Sequence, residues 1–131
     1  MFTMCYTRSS IIDISLFRKS ELRDEGGNKM GKIMAVNISE KKGTQKKNVH
    51  SARLMEEFGI EKDAHAGKWH RQVSLLSYEK IEEFKAKGAP IEDGAFGENL
   101  IVSGYDLKAL PVGTRLRSGE VLLEVTQIGK K

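Results

Sequence analysis

The sequence is poor in cysteine and proline, with Cys5 as its single cysteine and two prolines among 131 residues. One cysteine excludes a disulfide within the chain, and no basic segment followed by an apolar stretch marks a secretory signal. No apolar run approaches the roughly 18 residues of a membrane-spanning helix. These absences predict a soluble protein without a membrane partner, in a reducing cytoplasm.

An excess of charge of one sign is also missing: 22 basic and 18 acidic residues give a net charge of +4. The densest basic cluster, Lys41, Lys42, Lys46 and Lys47, surrounds Gly43 and contains no aromatic residue. Nucleic-acid surfaces more often interleave basic and aromatic side chains. The pattern favours a solvated loop, with an anion-steering rim or a nucleic-acid surface as weaker alternatives. We therefore expect no nucleic-acid partner, and the mild basic excess suits small oxyanions.

A change in character divides the chain near Gly26-Gly27. Residues 1–29 have weak periodicity and little to bury, whereas the apolar patterns sharpen from Met30 onward. Paired glycines mark a flexible break. The sequence predicts a poorly ordered leader or extension over residues 1–29 and a single domain over residues 30–131.

Strand patterns dominate the second part of the chain. Apolar runs predict strands over residues 32–38, 72–76 and 98–102, and a hairpin with arms 114–117 and 120–128. A short helix is expected over residues 51–58 and a better one over residues 78–87, with Ser77 as its N-cap and Gly88 past its end. The fold class predicted is mainly β: an incomplete β-barrel with one or two short helices. The last strand would leave an open edge, which predicts self-association.

The densest polar constellation comprises Asp63, His65, His70, Arg71 and Gln72. Two imidazoles, a guanidinium and a carboxylate can bind an oxyanion or relay protons. Their spacing matches no common metal motif, so no metal site is predicted. The alternative is a hydrogen-bonded structural loop that packs the neighbouring tryptophan into the core.

A second constellation contains Gly94, Gly97, Glu98 and Asn99. Two glycines three residues apart can bend the backbone and expose amides to an anion, but the Gly-Lys-Ser/Thr ending of a phosphate-cradling loop is missing. Glu98 is either a general acid/base or, more commonly for a lone carboxylate, a turn-stabilising group. Cys5 has no neighbouring base in the sequence, which favours an incidental thiol over a nucleophile.

Six ordered blocks together resemble the MOSC family, named for the C-terminal domain of molybdenum cofactor sulfurase, and most closely its small stand-alone bacterial members. The blocks are Ala35-Val36-Asn37-Ile38-Ser39, Asp63-Ala64-His65-Ala66-Gly67, His70-Arg71-Gln72-Val73-Ser74, Gly97-Glu98-Asn99-Leu100, Leu110-Pro111-Val112-Gly113-Thr114 and Leu123-Glu124-Val125-Thr126-Gln127-Ile128-Gly129. The resemblance implies a β-barrel that binds molybdenum cofactor or a sulfur-carrier partner.

In that family a cysteine proposed to carry a persulfide or to ligate molybdenum follows the strand that ends here at Gln127-Ile128-Gly129. This sequence continues only with Lys130 and Lys131, so we expect a domain truncated at its C-terminus, with sulfurtransferase-like activity impaired. The resemblance implies a cofactor-facing set of Asp63, His65, His70, Arg71, Gln72, Glu98 and Asn99.

The same resemblance implies molybdenum cofactor (molybdopterin) as the ligand, and a cysteine desulfurase or a molybdoenzyme as partner. At the level of the family it also carries an association with pyridoxal phosphate. Two alternatives stay open: a module that binds an oxyanion or pterin phosphate without covalent chemistry, and a non-functional fragment.

Overall fold

Much of the chain forms β-strands in a computed structural model. The described residues are 3–7, 14–17, 20–24, 30–39, 41, 45–49, 51–55, 59–60, 63–64, 66, 73–88, 90–92, 94–95, 97–118 and 121–128. Within them the strands are β1 Thr3–Thr7, β2 Ile14–Phe17, β3 Glu21–Asp24, β4 Met30–Ile38, β5 Lys47–Val49, β6 Ser51–Met55, β7 Gly59–Ile60, β8 Val73–Ser77, β9 Leu100–Ser103, β10 Arg115–Ser118 and β11 Val121–Ile128. Helix α1 spans Tyr78–Ala86, and a 3-10 turn spans Leu107–Ala109.

The main sheet has eight strands in the order β3-β10-β11-β1-β8-β9-β4-β5, and β3 also pairs with β4. Its neighbours are antiparallel except for β8 and β9, which run parallel. The sheet therefore curls back on itself, and the short strand β3 provides the contact between its two sides. The prediction of a mainly β, incomplete barrel with one or two short helices is confirmed.

The predicted hairpin is confirmed by the antiparallel pairing of β10 with β11, in which Ser118 lies opposite Val121. Alternate side chains of β11 are buried, namely Val121, Leu123 and Val125. They pack in the barrel interior with residues from the facing strands, such as Val73 of β8. The period-two pattern of the sequence thus places one face of β11 in the core.

Helix α1 confirms the stronger of the two predicted helices. The Ser77 hydroxyl accepts a hydrogen bond from the Lys80 amide at 3.3 Å, and Gly88 follows the helix with φ of +94°. Ile81 packs with Leu76 in a second apolar cluster, whereas Phe84, three residues further along the helix, is 52% exposed. Among the described residues, no helix is long and apolar enough to cross a membrane.

The prediction of a helix over residues 51–58 was wrong for the described part of that range. Ser51–Met55 forms strand β6, which pairs with β2 on one side and β7 on the other. Residues 56–58 lie outside the described residues. Local capping signals favoured a helix, but pairing with a strand far away in the sequence determines this segment.

The stretch predicted to be a poorly ordered leader contributes strands to both sheets. β1 lies between β8 and β11, and β3 contributes Leu22, whose side chain is fully buried. The leader-to-domain boundary at residue 29 stays a prediction, but the described residues before it are paired through backbone hydrogen bonds. Such pairing depends little on side-chain hydrophobicity, so weak periodicity did not reveal it.

The open edge predicted for the last strand is not observed, because β11 pairs with β10 on one side and β1 on the other. Its backbone groups are therefore engaged in the sheet and do not form a free edge. Self-association stays a prediction, but an unpaired edge at β11 is not its cause.

Tyr105, which follows β9, links β3 to the neighbouring strand β4. Its hydroxyl donates to the Leu22 carbonyl at 3.0 Å, and its ring lies so close to Gly31 that a Cβ there would come within 2.7 Å of it. Burial, and to a lesser extent the nearby Asp24 carboxylate, raise the pKa of the Tyr105 hydroxyl above its ordinary value. The hydroxyl is thus held as a neutral donor to β3.

We expect Leu22→Ala to lower the free energy of unfolding by about 2–5 kcal/mol, the usual cost of emptying a buried leucine site. Chemical denaturation measures the change. The matched control is Arg23→Ala in the same strand, where an exposed side chain should cost within about 0.5 kcal/mol. Equal, small effects of both substitutions would show that β3 does not belong to the core.

Candidate functional site

Buried polar side chains gather at one end of the barrel, where β4 ends and β8 and β9 begin. We call this group the polar rim; its members, each at most 8% exposed, are Asn37, Ser39, Lys46, Asp63, Ser74, Glu98 and Asn99. Strand register explains the gathering. Val36 lies opposite Leu100 on one side, and Leu75 lies beside Leu100 on the other. The neighbouring residues Asn37, Ser74 and Asn99 therefore meet at the same end of the barrel.

Asn99 occupies the middle of the polar rim and extends the hydrogen-bond ladder beyond the start of β9. On the β4 side, its carbonyl accepts from the Asn37 amide at 2.6 Å and its Nδ2 donates to the Asn37 carbonyl at 3.0 Å. On the β8 side, its Oδ1 accepts from the Ser74 amide at 3.0 Å, and its own amide donates to the Ser74 hydroxyl at 3.1 Å. A buried asparagine satisfied in this way fixes the spacing of three strands.

An ion pair is buried at the β5 side of the polar rim. The Lys46 ammonium lies 2.6 Å from Asp63 Oδ1, and the two side chains are 1% and 0% exposed. The same carboxylate oxygen accepts from the Ser39 amide at 3.1 Å, while the Ser39 hydroxyl accepts from the ammonium at 3.4 Å. Charges removed from water in this way need a close partner and additional hydrogen bonds, and both are present.

Glu98 is the second buried carboxylate. Its Oε2 accepts from the Gly94 amide at 2.9 Å and from Asn37 Nδ2 at 3.5 Å. Gly94 has φ of +82°, and a Cβ there would lie 1.8 Å from the Lys46 carbonyl oxygen. Glycine is required at this position, both by the backbone conformation and by the close approach to Lys46.

One buried side-chain atom of the rim has no hydrogen-bond partner. Asn37 Oδ1 is buried and unpaired, although Asn37 Nδ2 faces Glu98. A buried acceptor without a donor typically costs about 1–3 kcal/mol. It is a position at which an added N–H donor would be stabilising.

The structure brings three of the predicted site residues, Asp63, Glu98 and Asn99, into the polar rim. His65, His70, Arg71 and Gln72 lie outside the described residues. In the sequence the last three directly precede Val73, the first residue of β8. Across the described ranges, His, Cys, Asp and Glu side chains nowhere group in threes as they would around a metal ion.

Lys46 is the residue that the sequence reasoning misjudged. Lys41 and Lys47 are exposed, as expected of a solvated loop, but Lys46 is buried against Asp63. Lys42 lies outside the described residues. The partner of Lys46 is 17 residues away in the sequence, so nothing in the lysine cluster itself indicated the ion pair. Asn37, Ser39 and Ser74 were also missed, although the blocks that carry the family resemblance contain them.

We expect Gly94→Ala to lower the free energy of unfolding by about 3 kcal/mol, from about 1–2 kcal/mol of left-handed backbone strain and about 1–3 kcal/mol of overpacking against Lys46. Gly88→Ala is the control, because Gly88 also has positive φ but a Cβ there would meet no atom within 4 Å. Thermal or chemical denaturation compares them. Equal losses would contradict the close packing of the Gly94 and Lys46 segments.

Comparison with protein families matches residues 62–128 to the MOSC domain. No curated protein and no solved structure matches the chain at a significant level. The matched span covers just over half of the chain and includes Asp63, Ser74, Glu98 and Asn99 of the polar rim. The resemblance drawn from the six sequence blocks is confirmed. The chain belongs to the MOSC domain family.

Proposed function

We propose that the end of the barrel at the polar rim binds molybdenum cofactor, or its pterin-phosphate part, without covalent attachment. The family is related to molybdenum cofactor sulfurase. One observation carries the proposal. The two polar constellations of the sequence meet at the end of β4, where the Ser39 amide donates to Asp63 and Asn37 bonds to Glu98 and Asn99, all of them buried. Polar groups held so rigidly at the mouth of a barrel are suited to support a binding site.

The proposal divides the site residues into two roles. Asp63, Glu98 and Asn99 are buried and bonded to protein groups, so they position the backbone. His65, His70, Arg71 and Gln72 belong to the sequence between Asp63 and Val73, and both ends of that segment are attached to the barrel. In this proposal these four side chains contact the ligand, because attached ends limit the positions that the segment can adopt.

The donors and acceptors present suit the chemical groups of the cofactor. Its pterin ring offers N–H donors, for which carboxylate and amide oxygens are the natural partners, and Asn37 Oδ1 is an acceptor without a donor. Its phosphate calls for the planar fork of an arginine and for imidazolium groups, which Arg71, His65 and His70 supply. When bound, the cofactor would supply molybdenum and dithiolene chemistry, while the chain binds and orients it. In this scheme a molybdoenzyme or a cysteine desulfurase is the partner.

Oxyanion binding tests the role of Arg71. We expect phosphate and molybdate to bind the folded protein, and Arg71→Ala to weaken binding by about 1.5–3 kcal/mol, the usual range for a charge-assisted hydrogen bond. Affinity should rise between about pH 8 and 6, because imidazoles gain a proton as the pH falls through about 6–7, and it should fall with salt. His65→Ala should flatten that pH dependence more than it lowers affinity at pH 8. Isothermal titration calorimetry measures each quantity.

The matched control is Arg117→Ala, which removes an exposed arginine from β10, away from the polar rim. It should leave the oxyanion affinity unchanged. If neither anion binds the parent protein, or if Arg71→Ala and Arg117→Ala bind alike, the proposed site is wrong.

Covalent sulfur transfer is the competing activity, and we expect the chain to lack it. The sequence offers only Cys5 as a thiol, and the residues on either side of it in the sequence, Met4 and Tyr6, include no histidine or carboxylate. After incubation with a cysteine desulfurase and cysteine, a cold-cyanolysis assay should detect no stable persulfide. A stoichiometric persulfide that disappears in Cys5→Ser would instead favour a sulfur-carrier function.

A further inference from the structure

Lys46 lies where the two constellations of the polar rim meet, and its side chain is buried, with 1% exposed. Among the described residues, its ammonium contacts Asp63 Oδ1 at 2.6 Å and the Ser39 hydroxyl at 3.4 Å. Buried ion pairs often add little net stability compared with apolar side chains of similar size, but their geometry is strongly directional. The pair is therefore better suited to fixing positions than to stabilising the fold.

The side chain of Lys46 acts on the first constellation. Asp63 accepts from both Lys46 and the Ser39 amide, and the Ala64 amide donates to the Ser39 carbonyl at 2.7 Å. The Ala66 amide then donates to the Asp63 carbonyl at 3.1 Å, a bond that defines the Asp63 turn. Lys46 thereby holds this turn against the end of β4.

The backbone of Lys46 acts on the second constellation. The Cα of Gly94 lies against the Lys46 carbonyl, so closely that no side chain fits between them. The Gly94 amide in turn donates to Glu98 at 2.9 Å. Beside this contact, Gln45 Nε2 donates to Glu92 at 3.3 Å. The segment that carries Lys46 thus supports the loop that leads to Glu98.

We propose that Lys46 is a positioning residue that couples the Asp63 turn to the Glu98 loop and so sets the geometry of the binding site. The inference rests on the function proposed above. Lys46 does not touch the ligand in this scheme; it fixes the Asp63 turn, where the ligand-contacting segment starts, relative to the Glu98 loop. Its removal should therefore weaken oxyanion binding and loosen both segments together.

The main experiment compares Lys46→Met with Lys47→Met, a substitution at the adjacent, exposed lysine. Both remove one positive charge and leave a side chain of similar length. Phosphate and molybdate are titrated by calorimetry into each folded variant. We expect Lys46→Met to raise the Kd about tenfold, within the range seen for residues that act on a site from a distance, and Lys47→Met to change it less than about twofold.

Amide hydrogen exchange gives a readout that needs no ligand. In Lys46→Met the amides of Ala64 and Gly94 should both exchange faster than in the parent. The amide of Val125, which donates to Thr114 in the hairpin at 2.8 Å, should keep its rate. A general loss of stability would accelerate all three, so the pattern separates positioning from unfolding.

A second variant covers the case in which Lys46→Met fails to fold because Asp63 is left charged and unpaired. Lys46→Met/Asp63→Asn removes both buried charges, which should restore folding. Its Kd should stay about tenfold above that of the parent. Affinity that returns with stability would show that Lys46 serves the fold alone.

The outcomes separate the two proposals. Parent-like binding by Lys46→Met, or faster exchange at Ala64 without Gly94, overturns the positioning role of Lys46. If the parent binds neither anion, the proposed function fails, and the exchange rates alone then decide whether Lys46 couples the two segments.

Discussion

The arrangement of the polar rim depends on the buried ion pair between Lys46 and Asp63. An ammonium and a carboxylate 2.6 Å apart, both removed from water, tolerate little displacement, because separation would leave each charge uncompensated. The pair thereby brings the start of β5, the end of β4 and the turn after β7 to one place. The loop before β9 lies at the same place, because Gly94 packs directly on the Lys46 backbone.

Near this pair, side chains form the hydrogen bonds that backbone groups of paired strands form elsewhere in the sheet. Where β9 has not yet begun, Asn99 bonds to the backbones of β4 and β8 and continues the ladder on both sides. Ser74 completes the connection with its hydroxyl, whose single O–H lies within reach of Asn99 Oδ1 at 3.2 Å and of the Gly97 carbonyl at 3.3 Å. The barrel can therefore end in polar segments without leaving many buried backbone groups unpaired, which is the condition for a rigid rim.

The opposite end of the barrel depends on a different contact. There the short strand β3 joins β10 and β4, and Tyr105 holds it through the Leu22 carbonyl. A four-residue strand offers few backbone hydrogen bonds, so the buried Leu22 and the tyrosine contribute much of its attachment. The two ends of the barrel are thus held by different chemistry: charge and amides at the polar rim, and apolar packing with one neutral hydroxyl at the other.

The sequence by itself determined the apolar strand runs that form β4 and β8, the alternating buried face of β11, the capped helix α1, the hairpin and the family. These features follow from local alternation and turn chemistry, which neighbouring residues specify. Tertiary structure alone decided that residues 51–55 form a strand, that β1 separates β8 from β11, and that Lys46 is buried. Each of these depends on a partner distant in the sequence, and a strand or a lysine gives no local sign of which partner it will meet.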